Sequence, residues 1–181
     1  IAVSWAYHLL RIRVEYENKS DPHSILFGEF PALLEKRRKF DEDPGFFRSN
    51  PGELFRDNEM WVRGTAQQWA ARANMDCETL DKVQKDQIDA KIHVVKYEDL
   101  QLNIEQERKR LYEFLELDPG EAMPIDDLTK PGFDKENVHS HNRKGIVGDW
   151  KNYFTPDVCK WFKEEAGDLL VYLGYEEDDG W

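Results

Sequence analysis

One short β-branched run, Lys91-Ile92-His93-Val94-Val95-Lys96-Tyr97, stands among segments that otherwise carry helical periodicity, and this imbalance constrains the fold most. Bounded by polar residues, such a run reads as a buried strand. A chain with one clear strand and several amphipathic helices would, on periodicity alone, be mostly α-helical.

The helical segments follow from spacing. Ala2, Trp5, Leu9, Ile12 and Tyr16 step by three and four and predict an opening helix. No N-cap precedes it, so Ile1 reads as the interior of an element; its start, and any targeting segment, are expected upstream. Residues 18–59 are broken by Ser20-Asp21-Pro22, Asp43-Pro44-Gly45 and Asn50-Pro51-Gly52, which predicts a long excursion with a short helix over 32–38. Phe46, Phe47 and Phe55 within it are read as pins to the core rather than as substrate contacts.

Val62, Ala66, Trp69 and Ala73 mark a further helix, and residues 78–85 a weaker one. After the strand, Ile104, Arg108, Leu111 and Leu115 define another, stopped by Asp118-Pro119-Gly120. The last helix is the best punctuated. Thr155 serves as N-cap, Pro156 takes the first helical position and Asp157 suits the positive end of the dipole. Gly174 stands at the C-terminal cap, and Val158, Phe162, Ala166, Leu169 and Leu173 form the core face.

Composition narrows the function classes. With 181 residues, 40% of them apolar, one domain is the expectation. A formal charge of −12 argues against nucleic acid or an anionic membrane as the partner. No apolar run approaches the roughly 20 residues of a membrane span. Cys77 and Cys159 stand far apart with no CxxC spacing, which points to a reducing, cytoplasmic setting with neither disulfide nor zinc. His139-x-His141 lacks a third ligand at a helpful spacing, so no metal is expected. The acidic whole does not forbid an anion site, because charges beyond a Debye length of roughly 8–10 Å are mostly screened.

Such a site is encoded in Asn142-Arg143-Lys144-Gly145-Ile146-Val147-Gly148-Asp149-Trp150-Lys151-Asn152-Tyr153-Phe154. Arg143 offers a planar fork of donors and Lys144 a point charge, while Gly145 lets backbone N–H groups approach an anion. On residue chemistry alone a basic pair before glycine is commonly a solvated loop. Its order, however, resembles almost letter for letter the signature loop of the cytosolic-type sulfotransferases.

The resemblance implies that Arg143, Lys144 and Gly145 grip the 3′-phosphate of 3′-phosphoadenosine 5′-phosphosulfate, the co-substrate, and that Trp150 and Phe154 fix the loop to the core. Two further segments agree. Tyr97-Glu98-Asp99-Leu100 is similar to the family's strand end, whose tyrosine lies beside the adenine; Glu98 and Asp99 are read as structural, since neighbours on an extended chain face opposite ways. Ser4, within Ile1-Ala2-Val3-Ser4-Trp5-Ala6-Tyr7-His8, resembles the family's helical serine that donates to the same phosphate.

The implied fold is α/β, of the P-loop NTPase-like sulfotransferase type, represented by its C-terminal part, helix-rich with few parallel strands. The family's phosphosulfate loop with its lysine, and the strand with the catalytic base, have no counterpart in this sequence; no GxxxxGK occurs. No catalytic residue is therefore assigned here, and the chain is expected to need an N-terminal half for activity. The implied reaction is sulfuryl transfer to a small-molecule hydroxyl or amine acceptor. The family's dimer contact is only half matched, since Lys151 and Thr155 are kept but Pro156 and Lys160 replace the valine and glutamate. A rival reading is a non-catalytic, sulfotransferase-like subunit that binds protein partners in a larger assembly.

Overall fold

A computed structural model describes residues 2–11, 32–121, 145–178 and 180. The helices are α1 (Ala2–Arg11), α2 (Leu33–Glu42), α3 (Phe46–Ser49), α4 (Glu59–Gln84), α5 (Tyr97–Leu102), α6 (Ile104–Phe114) and α7 (Pro156–Tyr172), with 3-10 turns at Pro51–Glu53, Pro119–Glu121 and Asp149–Asn152. They fall into two compact units. Among the described residues, the first holds 2–77 and 149–180, and the second holds 78–121 and 145–148.

The first unit owns the apolar core. Its α7 follows the sequence expectation closely: the Thr155 hydroxyl accepts from the Val158 N–H at 3.4 Å, Pro156 opens the helix, and Gly174 at φ 66° follows its end. Val158, Phe162, Ala166 and Leu169 are buried, and Leu173 packs against them. From α4 come Trp61, Val62, Ala66 and Ala70, with Trp69 and Ala73 at the margin. Phe47 and Phe55 lie in the core and Phe46 packs on it, so the aromatic residues of the excursion pin it down. Helix α2 is fastened to α1 by Arg37, whose Nε and Nη2 donate to the Leu9 carbonyl at 3.1 and 3.0 Å.

Two expectations are corrected in the helices. The inward face of α1 carries Ala2, Val3, Ala6, Tyr7, Leu9 and Leu10, whereas Trp5 is 42% exposed with its ring edge-on to His8. Apolar residues almost surround this helix, so spacing alone gives two competing faces; Ile12 and Tyr16 lie outside the described residues. The separate weak helix over 78–85 is the continuation of α4, which no glycine cap or proline interrupts.

In the second unit the expected strand is also corrected. Residues 91–96 take no regular secondary structure, Tyr97 starts α5, and no strand exists among the described residues. Ile92 and Val94 are 42% and 59% exposed, because a strand is buried by its neighbours in a sheet and no described residue supplies one. The other side of the segment does pack: the His93 ring stacks on Phe114 of α6, with centroids 5.2 Å apart. Glu107 is buried on α6 and paired with Arg110 at 2.6 Å.

Candidate functional site

The described part of the signature loop divides into a glycine turn and an anchored end. Gly145 and Gly148 have φ of 61° and 77°, the left-handed region where a side chain is strained. A Cβ on Gly148 would meet nothing within 4 Å, so its glycine is required by backbone conformation and not by crowding. Arg143 and Lys144, the predicted cationic grips, lie outside the described residues.

Downstream, the loop is nailed to the core of the first unit. Buried Asp149 accepts from Asn152 Nδ2 at 3.1 Å within the 3-10 turn. Trp150 meets Phe154 at 5.2 Å, and Phe154 in turn meets Phe55 edge-on at 5.7 Å and Phe162 of α7 at 5.8 Å. Lys151 Nζ lies 5.5 Å from the Trp150 ring centre, within cation–π range. Trp150 and Phe154 thus act as the aromatic anchors. Tyr153, which nothing in the local sequence singles out, is buried and hydrogen-bonded to Tyr7 of α1 through their hydroxyls at 3.3 Å.

Ser4 is exposed on α1 in the first unit, whereas Tyr97 and Gly145 belong to the second. Tyr97 opens α5 and is 48% exposed as a residue. Partial burial, and then the Glu98 carboxylate, hold its phenol above the ordinary value, so the hydroxyl remains a donor. Glu98 and Asp99 sit on the first turn of α5 and not on an extended chain, so the argument from opposite strand faces does not apply to them. Two nearby buried atoms, His93 Nε2 and Glu98 Oε2, have no hydrogen-bond partner among the described residues.

Residues 77–170 match the family model described as Sulfotransferase domain. The chain belongs to the sulfotransferase family. The matched span contains Tyr97, Arg143, Lys144 and Gly145 of the predicted site, while Ser4 lies before it. No curated protein and no solved structure matches the chain.

For a sulfotransferase, the remaining surface is informative mainly by chemistry. Among the described residues no cluster of three or more His, Cys, Asp or Glu side chains could hold a metal ion, and His139 and His141 lie outside them. Cys77 and Cys159 are free thiols, and burial raises the Cys159 thiol above its usual value. Among the described residues, no helix is long and apolar enough to cross a membrane.

Proposed function

We propose that this chain supplies the 3′-phosphate and adenine part of a site for 3′-phosphoadenosine 5′-phosphosulfate, from which a sulfuryl group passes to a hydroxyl or amine acceptor. The observation that carries this reading is the signature loop itself. It lies inside the matched family span, turns through two positive-φ glycines, and is locked by Trp150 and Phe154 to a buried aromatic cluster. Arg143 and Lys144 grip the phosphate, the Gly145 backbone completes the turn around it, Ser4 donates its hydroxyl and Tyr97 flanks the adenine. The three of these residues that are described all retain accessible surface, as ligand contacts require.

In this reading the co-substrate supplies the sulfuryl group, and this chain binds and orients the nucleotide end. The P-loop-like α/β fold belongs to the same proposal, and neither the phosphosulfate loop nor the base is assigned to any of these residues. The compartment that suits two free thiols is the reducing cytoplasm.

The test is calorimetry on the full-length polypeptide with 3′-phosphoadenosine 5′-phosphate and with adenosine. Each charge-assisted hydrogen bond contributes roughly 1.5–3 kcal/mol, so losing even one weakens binding by about tenfold or more. Changing Arg143 and Lys144 together to alanine should weaken the bisphosphate by that factor or more and leave adenosine nearly unchanged. Equal losses for the two ligands would remove the assignment.

A further inference from the structure

Ser4 and Tyr7 are one turn apart on α1, where residues three apart are neighbours on the helix surface. Ser4 is exposed and Tyr7 is fully buried, 0% accessible. The Tyr7 hydroxyl reaches the hydroxyl of Tyr153, itself 1% accessible, at 3.3 Å, across 146 residues of chain. The rings meet edge-on at 5.9 Å and 83°, and Tyr7 makes a second edge-on contact with Phe40 of α2 at 6.1 Å. Tyr153 is also tied into the signature turn, because its N–H donates to the Trp150 carbonyl at 2.9 Å.

This pair does something that apolar packing does not. Ring faces tolerate sliding and rotation, whereas a hydroxyl–hydroxyl bond is directional and selects one rotation of α1 about its axis. That rotation decides where the Ser4 hydroxyl points relative to the anchored end of the signature. The separation is longer than the usual 2.7–2.8 Å of an O–H···O bond, so the ring contact shares the task of holding the two elements together.

We propose that Tyr7 and Tyr153 are positioning residues for 3′-phosphate recognition, whose buried contact registers α1, and with it Ser4, against residues 149–154 of the signature. This rests on the reading of Ser4 and the signature loop as contacts of that phosphate. Neither tyrosine touches the nucleotide.

The test uses the full-length protein with Tyr7→Phe, Tyr153→Phe and the double variant. All three keep the ring volume, so the core remains filled. Binding of 3′-phosphoadenosine 5′-phosphate and of adenosine 5′-phosphate is measured by calorimetry, and stability by thermal melting. Each single variant should weaken the bisphosphate by up to about tenfold, the equivalent of one net hydrogen bond, with adenosine 5′-phosphate unaffected. The double variant should bind the bisphosphate no better than the single ones, whatever its melting temperature. Affinity that returns along with stability, or parallel losses for both nucleotides, would overturn the positioning role and leave a structural one. A wild-type protein that does not distinguish the two nucleotides overturns the phosphate site itself, and the inference with it.

Discussion

Arg63 on α4 donates through Nη1 to Glu165 and through Nη2 to Glu164 on α7, at 2.9 and 2.5 Å, while its Nε holds Glu59 one turn back at 2.8 Å. One guanidinium thus ties α4 and α7 together within the first unit. The Gln67 amide first, and Arg63 next, pull the Glu165 carboxyl below its ordinary 4.5. A carboxylate with a depressed folded value stabilises above its unfolded pKa and loses that contribution as pH falls through the folded one. Melting curves should therefore show Glu165→Gln less stable than wild type at pH 7, with the gap closing below pH 4.5. A gap that is independent of pH would contradict the pairing.

Lys36 gives a slope of the same sign at alkaline pH. Its amine is buried and donates to the Arg56 carbonyl at 2.7 Å, and burial, outweighing the attraction of Asp57 and Glu53, lowers it from 10.5 to about 8. The folded state then loses this proton before the unfolded chain does, so stability rises as pH climbs from about 8 to 10.5. Other groups titrate in the same window, so the quantity to follow is wild type against Lys36→Met. The difference should shift in favour of wild type across that interval.

Phe55 joins the excursion, α4 and the signature loop. It stacks on Trp61 at 6.1 Å and takes Phe154 edge-on, with 1% of its surface exposed. Phe55→Ala should cost about 3–5 kcal/mol in chemical denaturation, the usual price of such a cavity. Leu34→Ala, at a position 79% exposed, should stay within about 0.5 kcal/mol.

Two local devices can be tested separately. Thr155→Ala removes the hydroxyl that caps α7 and should destabilise by about 1 kcal/mol. Gly148→Ala meets no steric obstacle, so its effect comes from φ alone, about 1–2 kcal/mol, and Gly148→Asn should be milder because asparagine tolerates that region.

These residues also show which features were legible in the sequence. Thr155, Pro156 and Gly174 act within a turn of their own position, and the boundaries of α7 could be read directly. Likewise the aromatic anchors Trp150 and Phe154 could be read from the order of the signature, whereas Arg143 and Lys144 lie outside the described residues. Pairing was not legible. Whether residues 91–96 form a strand depends on neighbours that local composition does not specify, and the burial of Ile92 and Val94 depends on them too. The Tyr7–Tyr153 contact was invisible for the same reason, because two tyrosines 146 residues apart leave no periodic trace. On α1, Trp5 had as good a claim to the core as Tyr7 by spacing, and only the packing of Phe40 and Tyr153 around Tyr7 decides between them.

The proposed recognition of a phosphate at one particular ribose position can be tested with an isomer pair. Adenosine 3′,5′-bisphosphate and adenosine 2′,5′-bisphosphate carry the same charge and the same base, so bulk electrostatics attract both equally. Equilibrium binding to the full-length protein should favour the 3′ isomer by at least about tenfold, the equivalent of one well-placed charge-assisted contact. Equal affinity for the two isomers would rule out a 3′-phosphate site.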